Sequence, residues 1–572
     1  MTITREEALA QVTAPGGPFE IAEQEVLGRS MRAYVVPPRT LAEVLVGSRA
    51  HGDKTYLVYE NERYSFAEHF DIVAGLADWL VREYGVSKGD RVAIAMRNYP
   101  EFPFFWWACH AIGAIAVPLN AWWTAEELRY GVEDCGAVFL AVDGERLDRM
   151  EPLLSEFPGI RGVVSVRTER HVDGVLPFAE VREALTSGLE LPEVEIDTDD
   201  IATILYTSGT TGRSRGAMHS HRNHCTNLLN TMTLGAAGAF MLGTTADGDA
   251  ARETPQGGGL AHMPLFHISQ LSGLYISAAT GSKVVLMYKW DVEKALELIE
   301  RERLTSFGGV PIQVQAFFDS PSLKTRDLSS MASFGFAATA IAPEKVMRVQ
   351  KVFGGAVTAG TGYGMTEATS AVTFISGQEY WEHPDSVGRP SPVNDIKIVD
   401  EEGNEVPTGA VGELWVRGPN IVRGYWNRPE DTERAFTDGW HHSGDVARVD
   451  EVGRVYLVDR IKDVVIRAGE NVHTGEVESV MYDHPAVHTV AVVGLPHELL
   501  GEEVAAVVRL HEGHEHTTTD ELKEYVAGRL AKFKVPSTIV VINEDVPRTA
   551  TGKILKRDIR NQLVAQLKES AQ

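Results

Sequence analysis

Apolar and polar positions begin to alternate in a regular way from Tyr64 onward. After Ser65, the apolar residues Phe70, Val73, Leu76 and Leu80 recur at helical spacing, and Ser65 is placed to cap that helix. Residues 91–96 read as a strand, residues 104–112 as a helix apolar all round, and residues 114–118 as the strand after it. Thr124-Ala-Glu-Glu opens the next helix, with residues 138–142 as the following strand. Residues 201–205 form another apolar run of strand length. Later, residues 283–288 predict a strand, and Asp291 caps a helix that carries Val292, Ala295, Leu296 and Ile299 on one face. Residues 305–310 then return as a strand. Strands alternating with helices predict an α/β fold with doubly wound, largely parallel sheets. Between these elements, the Gly-, Thr- and Asp-rich residues 242–259 predict a flexible loop. The first 50 residues predict only a short helix at 40–46.

From Ile396 the texture changes. Short alternating strands at 396–399, 412–416 and 455–458, joined by turns such as Asp438-Gly439, predict a β-rich subdomain. Past Lys462 come helices at 476–483 and 520–530 and strands at 489–493, 504–510 and 538–542. They are enough for a separate α+β domain. The expected division is 1–461 and 462–572.

Composition narrows the class. The chain has 572 residues, 44% hydrophobic and 23% charged, with a net charge of −26. That charge argues against a nucleic-acid or anionic-membrane partner. The three cysteines, Cys109, Cys135 and Cys225, have no metal-like spacing and cannot frame a disulfide scaffold, so a reducing cytoplasm is expected. Residues 102–124 lack Asp, Glu, Lys and Arg and are long enough to span a bilayer, but Pro103, His110, Pro118 and Asn120 interrupt them. They are read as core, and no transmembrane segment is expected. The histidines His219, His221 and His224 do not share one helix face, and His511, His514 and His516 lie in an acidic loop, so neither group is read as a metal site.

The chemistry gathers after the strand at 201–205. In Tyr206-Thr207-Ser208-Gly209-Thr210-Thr211-Gly212-Arg213-Ser214-Arg215-Gly216, glycines let main-chain N–H groups crowd round an anion while hydroxyls and arginines add donors and charge. This composition suits a polyphosphate cradle; a polar surface turn is the other reading. No Lys-Ser/Thr pair follows at Walker spacing, which counts against a P-loop NTPase. A second motif is Thr361-Gly362-Tyr363-Gly364-Met365-Thr366-Glu367. Its glycines would let the backbone approach a flat ligand, Tyr363 would offer a stacking face, Thr366 a phosphate donor and Glu367 an oxygen for Mg²⁺.

The first motif resembles the signature loop of the adenylate-forming superfamily, which includes acyl-CoA synthetases. Ser214 stands where proline is usual and Arg215 where lysine is usual. The resemblance extends in order across the chain. His262-Met263-Pro264-Leu265-Phe266-His267 is similar to the segment that gates the acyl tunnel, which makes His267 the gate candidate. The stretch from Ala337 to Glu344, with Ala338 and Thr339, resembles the lining of the adenine and acyl pockets. Tyr363 matches the adenine-stacking tyrosine and Glu367 the metal carboxylate. His441-His442-Ser443-Gly444-Asp445 resembles the ribose motif, with Asp445 as its carboxylate. Asp459-Arg460-Ile461-Lys462-Asp463 resembles the hinge, with Arg460 meeting ribose or phosphate and Lys462 as pivot. Gly469 matches the loop that builds the thioester site, where His473-Thr474 replaces the usual Tyr-Pro. Lys553, in Arg548-Thr549-Ala550-Thr551-Gly552-Lys553, matches the catalytic lysine.

The resemblance implies an AMP-forming ligase that activates a carboxylic acid with ATP and Mg²⁺ and passes it to CoA. A carrier protein or an amine remains the alternative acceptor, and a homodimer is common among similar enzymes. A non-catalytic nucleotide sensor is a further alternative, disfavoured by the intact Glu367 and Lys553. Small residues Gly308, Gly309, Gly335, Ala337 and Ala338 beside Phe307, Phe334 and Phe336 suggest an apolar pocket with room for a hydrophobic acid larger than acetate.

Overall fold

The computed structural model describes residues 3–207, 214–241, 243, 255–336, 343–468, 470–497, 499–549 and 552–570. The caps set the first helices. Ser65 and Glu68 form a capping box at the start of the helix Phe66–Tyr84, and Thr124 and Glu127 do the same for Ala125–Cys135. Asp291 accepts from the Lys294 N–H to start Val292–Glu302. Thr40 caps the short early helix, Leu41–Ser48.

These helices link the strands of two large sheets. The first has seven strands among the described residues, in the order Arg215–Ser220, Ile201–Thr207, Ile115–Pro118, Arg91–Ala95, Phe139–Asp143, Gly162–Val166 and Val175–Pro177. All its neighbours run parallel except the first pair. The second has nine strands among the described residues. At its middle Thr358–Thr361, Ser333–Phe336, Ser306–Gly309, Gly258–Ala261, Lys283–Leu286 and Thr55–Tyr59 lie parallel, and antiparallel strands close both edges.

The apolar helix Glu101–Ala111 is buried at every position and packs between the sheets. Trp107 Nε1 donates to the Tyr56 hydroxyl at 3.2 Å, and that hydroxyl donates to the Leu274 carbonyl at 3.0 Å. Each such buried aromatic contributes on the order of 2–3 kcal/mol. No described helix is long and apolar enough to cross a membrane. Asn98, just past the strand Arg91–Ala95, ties the sheets together at their carboxyl ends. Its amide donates to the carbonyls of Ala261 and Met263, at 3.0 and 2.8 Å, and it accepts from the Leu265 N–H at 3.0 Å. Ligand sites in α/β folds gather at this edge.

An antiparallel third sheet holds Asp395–Val399, Gly412–Arg417, Trp440–Val449, Phe436–Thr437 and Val455–Arg460. The last sheet joins Glu470–Val472, Val465–Arg467, Gly501–Leu510 and Val487–His497 in antiparallel pairs, with Thr538–Ile542 parallel at its edge.

Two sequence expectations need correction. Of the loop expected at 242–259, residues 242 and 244–254 lie outside the described residues, and Gly258 already starts a strand. Phe307, Phe334 and Phe336, expected beside a pocket, are buried and pack with Phe317 and Phe318 in the core of the second sheet. Side chains alternate along a strand, so Gly308 and Gly335 point to the opposite face. There a Cβ on Gly308 would stand 2.9 Å from the Gly335 carbonyl oxygen, so close strand approach accounts for that glycine.

Candidate active site

Ser208, Gly209, Thr210, Thr211 and Gly212 lie outside the described residues, as do Ala338, Thr339 and Gly469. The stem of the loop expected to hold phosphates is described. Thr207 pairs with Arg215 in antiparallel register, so the strands entering and leaving the loop are held side by side. Gly216 is required there, because a Cβ would meet Ile204 Cγ2 at 2.6 Å. The outgoing strand is also stitched to a distant segment. Met218 N–H donates to the Gly424 carbonyl at 3.0 Å, and Trp426 N–H to the Gly216 carbonyl at 2.7 Å. This places the Tyr425 ring under the Arg215 guanidinium, 4.3 Å from its centroid. Asp431 lies 4.0 Å from the same guanidinium.

Glu367 sits on the 3₁₀ turn Thr366–Ala368. Its Oε1 accepts from the Tyr425 hydroxyl at 2.7 Å, and its carbonyl accepts from the Val422 N–H at 2.9 Å. Burial and the Glu367 carboxylate push the Tyr425 phenol well up, so it stays a donor. The glycines beside Tyr363 have a reason other than ligand approach. A Cβ on Gly364 would lie 1.7 Å from the Ser370 carbonyl oxygen, and one on Gly362 would lie 2.4 Å from that of Thr373. Both serve backbone packing. Tyr363 itself is 7% exposed, and its ring joins the core of the third sheet. Its hydroxyl donates to Asp445 Oδ2 at 2.7 Å.

Asp445 stands opposite Arg460 in the strand ladder, and the Arg460 Nε meets Asp445 Oδ1 at 2.9 Å. Both carboxylate oxygens are thus engaged, each with a second lone pair left for a further donor. His441, at the start of the same strand, was not singled out from the sequence. It is buried with its Nδ1 unpartnered, and burial lowers its pKa to about 4 against the pull of Glu367.

Lys553 enters from the last sheet's side on a tight turn. Thr549 N–H donates to the Lys553 carbonyl at 2.7 Å, Gly552 N–H to the Thr549 carbonyl at 2.8 Å, and Lys553 N–H to Thr549 Oγ1 at 3.1 Å. Gly552 has φ +81°, and a Cβ there would touch Val310 Cγ2 at 3.0 Å. The turn is therefore seated against the start of the helix Pro311–Asp319, a contact the sequence did not announce. Burial, then the Arg460 charge, lowers Lys553 to about 7; Asp445 opposes this and Lys462 adds to it. His267 shares the neighbourhood. Burial, then Lys553, lowers its pKa to about 4, so it is neutral. Its Nδ1 accepts from the Ser269 hydroxyl at 2.9 Å and lies 3.4 Å from the Ser269 N–H, which puts the ring proton on Nε2.

Lys462 lies in the 3₁₀ turn Ile461–Asp463, and side chains are bonded across that turn. Thr474 Oγ1 donates to Asp459 Oδ2 at 3.0 Å and accepts from Lys556 Nζ at 2.7 Å. The three upstream histidines have separate tasks. His219 Nδ1 meets Thr369 Oγ1 at 2.9 Å, His221 Nδ1 accepts from the Leu41 N–H at 3.1 Å, and His224 Nε2 meets Thr203 Oγ1 at 3.2 Å.

A model of the AMP-binding enzymes matches residues 46–426, and one of the AMP-binding enzyme C-terminal domain matches residues 476–553. The chain is 34% identical to a feruloyl-CoA synthase of Amycolatopsis sp, over 87% of this chain and 93% of that protein. It is 31% identical to a long-chain-fatty-acid–CoA ligase of Bacillus subtilis (strain 168), over 91% and 94%. Among solved structures, ATP-bound MatB from Rhodopseudomonas palustris superposes with a TM-score of 0.80 at 28% identity, covering 92% of this chain and 99% of that one.

Proposed function

The chain belongs to the AMP-binding enzymes, and we propose that within this family it works as a two-step acid–thiol ligase whose chemistry passes from Lys553 to the thioester loop. It is an AMP-forming acyl-CoA synthetase that uses ATP and CoA. The acid we infer is hydrophobic and larger than acetate, in keeping with the feruloyl and long-chain relatives.

In the first half-reaction a carboxylate oxygen attacks the α-phosphorus of ATP, the bond to the β-phosphate oxygen breaks, and pyrophosphate leaves. Displacement at phosphorus needs chiefly positioning and charge neutralisation. The loop 207–216, with Arg215, would hold the β- and γ-phosphates, Asp445 and Arg460 the ribose side, and Tyr363 one edge of the adenine. Lys553 would meet the reacting oxygens. Thr366 would add a phosphate hydrogen bond, and neutral His267 would border the acid.

Mg²⁺ fits Glu367, a hard oxygen donor. Such a cation would be held by this one carboxylate together with the substrate phosphates. When bound, it would neutralise charge on the phosphates.

In the second half-reaction the CoA sulfur attacks the acyl carbon, AMP leaves, and the thiol proton passes to solvent. We assign the change of partners to a turn of residues 462–572 about Lys462, which would withdraw Lys553 and present Gly469. The observation that carries this reading is the seating of Gly552 on Val310, which brings Lys553 beside Arg460, Asp445 and His267.

The test is pyrophosphate release from Mg-ATP across a panel of carboxylic acids, with and without CoA. Acid-dependent release, with thioester only when CoA is present, is expected. Release without thioester, with acyl-AMP accumulating, would overturn CoA as the acceptor.

A further inference from the structure

The strand Arg215–Ser220 carries Arg215, Ala217 and His219 on one face, since alternate side chains share a face. Tyr425 and Thr369 meet that face. Ala217 packs in a small cluster with Val422 and Tyr425, Arg215 lies over the Tyr425 ring, and His219 bonds Thr369. Between these contacts sits the turn with Glu367. Its backbone is held by Val422, and by Asn420, whose amide donates to the Ala368 carbonyl at 2.9 Å.

Arg215 and Glu367 therefore share one half-buried site with opposite charges. Left alone, such groups would pair with each other and neither would be free for a ligand. Tyr425 stands between them. The cation rests on its ring face, the carboxylate accepts from its hydroxyl, and among the described residues the acid nearest Arg215 is Asp431 instead.

We infer that Tyr425 is a positioning residue that holds the phosphate-loop cation and the Glu367 carboxylate apart and aims both at the metal–nucleotide. The inference rests on the ATP-dependent reading above. One side chain sets two charges. Its hydroxyl holds Oε1 of Glu367, so that Oε2 would turn to a cation, while its ring carries the guanidinium at 4.3 Å. The arginine that stands in place of lysine gains a purpose here, because a planar guanidinium can lie on a ring and still offer a fork of donors, which an ammonium cannot.

The test is binding, without any acid present. Mn²⁺ retained on the enzyme–ATP complex is read by electron paramagnetic resonance, and metal-free ATP affinity by calorimetry. Tyr425→Phe keeps the ring and loses the hydroxyl. It should weaken Mn²⁺ retention about 10-fold, as a lost hydrogen bond to a charged group does, and leave metal-free ATP affinity unchanged. Tyr425→Leu should weaken both, because Arg215 and Glu367 can then pair. In a Glu367→Gln background, Tyr425→Phe should add nothing to the loss of Mn²⁺. Unchanged Mn²⁺ retention in Tyr425→Phe, or an equal further loss in the Glu367→Gln background, would overturn the inference. So would an equal fall in thioester formation from supplied acyl-AMP together with a lowered Tm, which marks a merely structural role. A wild-type chain that binds no ATP would instead sink the functional reading itself.

Discussion

The two cations nearest the phosphate chemistry are held in opposite ways. Arg215 grows from a strand paired on both sides, stacks on Tyr425 and has Asp431 at 4.0 Å. Lys553 sits on a turn of its own hydrogen bonds, seated on the rest of the protein through Gly552 and Val310, in a cluster where burial and Arg460 disfavour its charge. The first is built to stay. The second is in place at an electrostatic cost, as would suit the group we assign to leave between half-reactions.

Removing each cation should separate the roles. Lys553→Ala should slow acyl-AMP formation by about 10²–10³, the scale for losing one charge-stabilising donor, while thioester formation from supplied acyl-AMP stays near wild type. Arg215→Ala should raise the KM for ATP more than it lowers kcat, if Arg215 holds the phosphates as proposed. Single-turnover assays of each half-reaction decide this. Equal losses in both half-reactions for Lys553→Ala would erase the contrast.

The seating of the turn can be attacked directly. Gly552→Val meets two obstacles, a φ of +81° and contact with Val310. Strain of about 1–3 kcal/mol predicts a loss of roughly ten- to a hundredfold in adenylation. Thioester formation from acyl-AMP, which does not need the turn seated, should be spared.

The contrast also has a pH signature. The seated Lys553 has its pKa near 7, against 10.5 for a free lysine. Seating without nucleotide therefore favours the neutral amine. It is strongest above the free value and weakens as pH falls towards 7, which hydrogen exchange of residues 548–554 would follow. Nucleotide binding prefers the cation, so kcat/KM for ATP should decline as pH rises through about 7. The Arg215 side answers to acid instead. Burial lowers His219 to about 3 and His221 to about 4, so the unfolded chain binds more protons below its histidine range. Stability is then full above pH ~6.5 and lost as pH falls through about 4 towards 3, visible as a falling Tm.

Much of this was legible in the chain. Caps at Ser65, Thr124 and Asp291 announce their helices because a cap is a local event. The helix His221–Met241 was missed because eleven of its side chains are buried and no amphipathic stripe is left to see. Tyr425 and Val310 were missed for another reason. Each matters through a contact with a residue far along the chain, and nothing near it in sequence marks the partner. The core packing of Phe307, Phe334 and Phe336 was missed because small and aromatic neighbours on a strand point to opposite faces.

The smallest predicted effect lies at the pivot. Asp459 belongs to the third sheet, before Lys462, whereas Thr474 and Lys556 follow it. The turn proposed about Lys462 would carry Thr474 away from Asp459, so the hydroxyl that stands where proline is usual would act as a light latch on the arrangement that seats Lys553. Thr474→Val removes its bonds to Asp459 and Lys556 but leaves the Lys556–Glu478 ion pair at 2.8 Å. One hydrogen bond of about 1 kcal/mol predicts adenylation slower by roughly threefold or more, and thioester formation from acyl-AMP faster or unchanged. If both half-reactions slow together, Thr474 supports the small domain's own packing, and the contrast between a fixed and a departing cation must rest on Gly552 and Lys553 alone.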